Sequence, residues 1–268
     1  EEIRQYFCEL YGNPSSMHTF GGQVGIKIRE AREKAAALLG CDPAEIIFAG
    51  CGTESDNTAI KGTLAAYPEK RKVITTRVEH PAVLSVCREL ENHGYTVVEI
   101  PVDRKGRLSI EQLEKQLTED TAIVTIMYAN NETGTLFPVE KIAEMVTGKG
   151  IVFHTDAVQA VGKIPINLSK SGIDLLSISG HKLHAPKGVG ILYVRKGTRL
   201  APFMLGGHQE GGRRAGTENV PGIIGLGKAC ELAMRKFDEE NKKVRKLRDK
   251  LEKEILKKCP DCMVNGDT

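Results

Sequence analysis

Seven short apolar runs, separated by helix-patterned segments along almost the whole chain, constrain this sequence more than any other feature. They are EIIF (45–48), KVITT (72–76), TVVEI (96–100), AIVTIM (122–127), IVFHT (151–155), LLSIS (175–179) and GILYV (190–194). Runs this short match strands rather than helices. Several lack polar alternation, as strands covered on both faces do. The segments between them carry the helical period: in GGQVGIKIREAREKAAALLG, Val24, Ile28, Ala31, Ala35 and Leu38 fall on one face. PAVLSVCRELENHG and SIEQLEKQL are closed by Gly or preceded by Ser, as helix ends require. Strand alternating with helix predicts an α/β fold, a three-layer α/β/α domain around a mainly parallel seven-stranded sheet.

In open sheets of this kind ligands collect beyond the carboxyl ends of the strands, so the residues just after each run are the candidates. After the first run, Gly50-Cys51-Gly52-Thr53 leads into a helical stretch. Two glycines and a helix start make a phosphate cradle, although a Gly-rich turn with a Thr cap explains the same residues. A Walker A loop is excluded, because Gly-Lys-Ser/Thr is missing. After the second run, His80 precedes Pro81; it either caps a helix or lays its imidazole over a flat ligand, and the stretch leaves both open. After the fourth, Asn130 and Asn131 precede Glu-Thr-Gly, a turn by default, with an amide able to reach a phenolate or carboxylate oxygen.

After the fifth run comes Asp156, costly at the end of an apolar strand unless it caps a helix or meets a cation such as a protonated ring nitrogen. After the sixth, His181 and Lys182 stand behind Ser177 and Ser179. Singly, each feature has an ordinary explanation. Together they supply a phosphate cradle, a carboxylate for a ring nitrogen, polar donors and one amine, the parts of a pyridoxal phosphate site in which Lys182 carries the cofactor as a Schiff base. Partial desolvation and nearby cations would make that amine nucleophilic.

Composition narrows the alternatives. A chain of 268 residues with a formal charge of +3 lacks the basic excess expected of a nucleic-acid binder. No apolar run is long enough to cross a bilayer. Seven cysteines, an odd and scattered set, argue against a disulfide scaffold and for a reducing, cytoplasmic setting. Cys259 and Cys262 have CxxC spacing, but no second pair or nearby His completes a zinc site, so no metal is expected. In NKKVRKLRDKLEKEILKKC the apolar Val244, Leu247, Leu251 and Ile255 fall at helical spacing, which makes the charges the wet face. The second half of TRLAPFMLGGHQEGGRRAGTENVPG reads as a long structured loop.

From YGNPSSMHTFGG to VNGD the chain resembles the cysteine desulfurases of the NifS/IscS kind, class V members of the fold-type-I pyridoxal phosphate enzymes. FAGCGTESDNTAIKG, VEHPAVL, YANNETG, HTDAVQAVGKIPI, SISGHKLHAPKGVGILYV and GGHQEGGRRAGTENVPGIIG carry the resemblance. It implies Lys182 as the Schiff-base lysine and Asp156 as partner of the pyridine nitrogen. His80 would stack on the ring, Gln159 would bond to the phenolic oxygen, and Asn131 would sit at substrate and cofactor hydroxyl. Gly52, Thr53, Ser179 and His181 would hold the phosphate, and Thr217 would reach the phosphate of a neighbouring subunit, which implies a homodimer. The implied reaction converts L-cysteine to L-alanine, with sulfur passed to an enzyme cysteine as a persulfide and on to an acceptor or scaffold protein for iron–sulfur clusters or other uses. Lys182 would serve as base and catalytic group beside His80.

The resemblance also implies a domain plan: residues 1–235 as the cofactor-binding large domain, and 236–268 as a linking helix and the beginning of a small domain. Enzymes of this kind open with a YLD-x-x-A-T-T-P strand and continue past NGD into that small domain, which carries a mobile loop with the sulfur-accepting cysteine and an arginine for the substrate carboxylate. Cys51 is expected to be a small buried residue instead. The expectation is a chain that binds cofactor without turning over cysteine. A selenocysteine lyase, another class V enzyme, or a non-catalytic partner protein on the same fold are the alternatives; Ala215-Gly216-Thr217-Glu218 favours the desulfurase.

Overall fold

A computed structural model describes residues 1–267. The elements in chain order are α1 (Gln5–Cys8), α2 (Thr19–Leu39), β1 (Ile46–Ala49), α3 (Gly52–Ala66), β2 (Lys72–Thr76), α4 (Pro81–Asn92), β3 (Thr96–Ile100), α5 (Ile110–Gln116), β4 (Thr121–Thr125), α6 (Val139–Thr147), β5 (Val152–Asp156), β6 (Leu175–Ser179), β7 (Gly190–Val194) and α7 (Val220–Lys258). All seven expected strands are present, in the order β1-β7-β6-β5-β4-β2-β3. β7 runs antiparallel to β1 and β6, and the other pairs are parallel. The reason is local: residues 180–189 are too few for the helical crossover a parallel return needs, so the chain doubles back.

Both faces of the sheet are covered because successive side chains point to opposite sides. Phe153, Leu176, Ile178, Ile191 and Tyr193 enter one core with α2, α6 and α7. Their neighbours Val152, Leu175, Leu192 and Val194 enter the other with α3 and α4. This is the expected three-layer arrangement. Helix α2 starts with the His18 side chain accepting from the Gly21 N–H and stops at Gly40 in the left-handed region, φ 65°. Its face is the expected one with a small rotation at the end, where Leu39 is buried and Leu38 only partly so.

Two features position the functional edge. Helix α3 leaves β1 at one margin of the sheet and lies against β4 to β7 before the chain enters β2, so its first turn sits over the strand ends. Gly190 lets β7 start close beneath it, since a Cβ there would meet the Cys51 carbonyl carbon at 2.7 Å and the Ile178 oxygen at 2.7 Å.

The C-terminal helix is the longest element. It runs Val220–Lys258, so residues 235 and 236 both lie within it. Its early turns are buried against α2, whereas Val244, Leu247, Leu251 and Ile255 are 58%, 58%, 63% and 43% exposed. The apolar stripe read from sequence is real but uncovered. Among the described residues no helix is long and apolar enough to cross a membrane.

Candidate active site

The carboxyl ends of β1, β4, β5 and β6 converge on a cavity of about 220 Å3. Gly52, Thr53, His80, Asn131, Asp156, Gln159, Ser179, His181 and Lys182 all line it. Of the expected site residues, Thr217 stands apart, exposed in the Gly-rich loop. A larger groove of about 970 Å3 runs beside α7 between residues such as Ile3, Ala229 and Phe237, and Lys182 borders it too. That groove holds no convergence of strand ends, so the smaller cavity is the candidate for chemistry.

Helix α3 opens into the cavity without a side-chain cap. The free N–H groups and dipole of its first turn are therefore available to an anion. Gly52 keeps that end open, because a Cβ there would stand 3.1 Å from Val158 Cγ2 and 3.2 Å from Ser179 Cβ. The acidic residue of the turn, Glu54, does not oppose an anion: it accepts from the Gly50 N–H at 2.8 Å and from Arg214 at 2.8 and 3.2 Å. Opposite, the Ser179 hydroxyl and His181 Nδ1 lie 2.9 Å apart. Cys51 is not the buried filler expected; it is the half-buried residue that precedes α3 and forms part of the cavity wall.

His80 caps a helix and also borders the cavity. Its Nδ1 accepts from the Ala82 N–H at 3.1 Å, capping α4, while the exposed ring lines the cavity. The asparagines divide the work. Asn130 builds the turn, donating to the Val78 carbonyl at 3.1 Å and accepting from the Glu132 and Thr133 N–H groups; Asn131 faces the cavity, with its amide donating to Glu132 Oε1 at 2.6 Å. Asp156 ends β5 as a buried carboxyl that accepts from the Val158 N–H at 2.9 Å; no helix follows for it to cap. Burial raises its pKa against that hydrogen bond and the pull of His80.

Over residues 1–268 the chain matches the family described as Aminotransferase class-V. The chain belongs to the class-V aminotransferase family. It is 61% identical to a cysteine desulfurase of Nostoc sp. over 267 residues, 100% of this chain and 67% of that protein. To cysteine desulfurase NifS of Azotobacter vinelandii it is 58% identical, over 98% of this chain and 65% of the relative. Among solved structures, a NifS-like protein superposes with a TM-score of 0.93 at 45% identity, covering 96% of this chain and 71% of that one. SspA in complex with cysteine gives 0.83 at 40% identity, covering 86% and 67%. The chain thus spans about two thirds of the length of its relatives.

Class-V enzymes work with pyridoxal phosphate, and this cavity fits such a group on its own chemistry. An uncapped helix start behind a glycine suits a phosphate. A buried carboxyl with one N–H partner suits a protonated ring nitrogen. The amine is Lys182, in the short helical turn Gly180–Leu183. The expectation of a partly desolvated Lys182 is not met, for the residue is exposed. Nearby, burial first and the Lys182 charge second lower the pKa of Lys163.

Sequence reasoning missed a buried polar layer beneath the cavity floor. His154 is fully buried, with Nδ1 2.8 Å from Thr125 Oγ1 and Nε2 2.9 Å from Ser177 Oγ. Ser177 therefore belongs to the interior of β6 and not to the rim. Asp56, on the inner face of α3, places Oδ1 3.6 Å from His154 Nε2. Glu79, next to His80, accepts from Thr76 Oγ1 at 2.7 Å and the Met127 N–H at 3.0 Å. The available signal was position: Asp56 lies one helical turn before Ile60, on a face that has to be buried. Also missed were the clamps on the Gly-rich loop. Glu210 accepts from Arg32 at 2.7 and 2.8 Å and from the Phe48 N–H at 2.9 Å, and with the Arg214–Glu54 pair it ties the loop to β1 and α3.

Proposed function

We propose that the chain is the cofactor-binding part of a pyridoxal-phosphate-dependent cysteine desulfurase, which takes L-cysteine to L-alanine and hands its sulfur to a cysteine thiolate. The observation that carries this reading is the meeting of the uncapped α3 start, buried Asp156 and the amine of Lys182 on one cavity. The names of the relatives support the substrate.

When bound, the cofactor supplies an electron sink for charge developing at the substrate Cα. The residues divide the remaining work. The first-turn N–H groups at Gly52 and Thr53, with Ser179 and His181, hold the phosphate. Asp156 keeps the ring nitrogen protonated, its carboxylate anchored by the Val158 N–H. His80, already fixed by its cap to α4, presents a flat face to the ring, and Gln159 and Asn131 donate to oxygen atoms. Lys182 anchors the cofactor and then moves the Cα proton; its exposure leaves the amine free to swing between both tasks. A thiolate accepts the sulfur.

Thr217 supports a homodimer in this reading. It is exposed on a loop that two Arg–Glu pairs hold rigid, as a residue offered to a neighbouring copy's phosphate would be. A sulfur-acceptor protein is the further partner. Seven free thiols support a reducing, cytoplasmic setting.

The test is borohydride reduction after loading with pyridoxal phosphate, followed by peptide mass mapping. The pyridoxyl mass is expected on Lys182 and is lost in Lys182→Ala. Added L-cysteine is expected to change the cofactor's absorption spectrum. An adduct elsewhere, or a spectrum indifferent to L-cysteine, would overturn the reading.

A further inference from the structure

The cavity floor holds a second carboxyl that the reaction as described does not use. Asp56 lines the cavity together with Asp156, and is 1% exposed. Its Oδ1 has no hydrogen-bond partner; the imidazole beyond it, at 3.6 Å, already meets a hydroxyl at each nitrogen. Facing Asp56 are Asp156 and His154 from β5, Ser177 from β6, Glu79 from the turn after β2, and Cys51 at the start of its own helix. Among the described residues lining the cavity the one strong cation is Lys182, and it is exposed. No fixed positive charge is buried beside Asp56.

Two carboxylates cannot both ionise in a dry wall without a cation between them. Asp156 has the better claim to the charge, since it accepts a backbone N–H, whereas Asp56 Oδ1 has no partner. We propose that Asp56 is a positioning residue for Asp156: of the two carboxyls on this wall only Asp156 ionises, and Asp56 keeps its proton, so that the wall presents a single negative charge to a single ring nitrogen. This rests on the pyridoxal phosphate reading of the cavity. His154 completes the device as a neutral spacer; burial pushes its pKa down to about 3, so it adds no charge behind Asp56. Burial, and then the Asp156 charge, hold the Asp56 carboxyl well above the usual carboxylate range.

The proton can be read without cofactor. A group protonated in the folded chain and ionised in the unfolded one costs stability progressively as pH rises above its unfolded value. Asparagine mimics the neutral acid and does not titrate. From about pH 5 to about pH 8, the melting temperature of unliganded Asp56→Asn is therefore expected to gain steadily on the wild type. In an Asp156→Asn background the same comparison should show a smaller gain, because the like charge is gone. Loaded with pyridoxal phosphate, Asp56→Asn should keep its affinity within about threefold, whereas Asp156→Asn should lose about tenfold or more.

A merely structural Asp56, buried but not coupled to Asp156, would give the same pH-dependent gain in the Asp156→Asn background as in the wild type, and that result also overturns the proposal. A flat difference, or one that grows against Asp56→Asn as for an ion pair with protonated His154, overturns the proposal. So does a loss of cofactor in Asp56→Asn as large as in Asp156→Asn. Should Asp56→Asn fail to fold, infrared spectra of wild type labelled with 13C-aspartate decide: a neutral carboxyl band at neutral pH supports the proton retained on Asp56, and its absence overturns it. If the wild type takes up no pyridoxal phosphate, the cofactor reading fails, while the pH comparison still decides where the proton lies.

Discussion

At the scale of single residues, burial sorts groups that the sequence leaves alike. Cys87 and Cys230 are buried, and desolvation pushes each thiol up to about 12; Cys8, Cys259 and Cys262 are exposed. Brief alkylation of the folded chain should therefore label the exposed three and spare the buried two, as mass mapping would read. Glu79 makes a second case. Burial raises its carboxyl to about 8 against two hydrogen bonds to Oε1, and Oε2 has no partner. An acid raised in the folded state gives stability that is complete below its unfolded value, near 4.5, and drains away as pH climbs to about 8. Glu79→Gln should flatten that decline, so urea midpoints of variant and wild type should converge or cross on going from pH 5 to about pH 8. A wild-type midpoint that instead rises against the variant with pH would mean an ionised Glu79.

Elements act here mainly through their ends. The start of α3 is accessible because Gly52 leaves it open. Gly52→Ala should cost about 1 kcal/mol or less in stability, since only two side chains must yield, yet weaken pyridoxal phosphate by about tenfold. Equilibrium dialysis beside a melting curve would separate the two effects. The Gly-rich loop works because it is clamped. Glu210 adopts φ 49°, rare for a residue with a Cβ, and Arg32 and the Phe48 N–H hold it there. Removing one partner of a buried pair strands the other, so Glu210→Ala should destabilise by about 3 kcal/mol in denaturant unfolding. It should also make the loop around Thr217 an early site of proteolysis.

On the scale of the whole molecule, the sheet divides two cores of unequal extent, and α7 reaches well past the larger one. Its outer half shows solvent an apolar stripe at Val244, Leu247, Leu251 and Ile255. Contiguous exposed apolar surface promotes association. Replacing Leu247 and Leu251 with Lys should shift sedimentation of the chain toward smaller species while leaving its melting temperature nearly unchanged, because neither residue contributes to the core.

Strand positions, the three-layer class and the strand-end residues were legible in the sequence because each depends on local order. A buried strand is a short unbroken apolar run, and ligand-binding residues sit where such runs stop. That Lys182, Asp156 and Gly52 would meet at the edge of the sheet could be read from that alone. Asp56 and His154 could not, because their meaning is their mutual approach across α3, β5 and β6. Nor could the clamps at Glu54 and Glu210, whose arginine partners lie 160 and 178 residues away in the chain. The sequence determined which groups arrive at the edge of the sheet; only the fold decided which carboxyls lie in the dry and next to what, because desolvation and charge pairing are properties of neighbours in space.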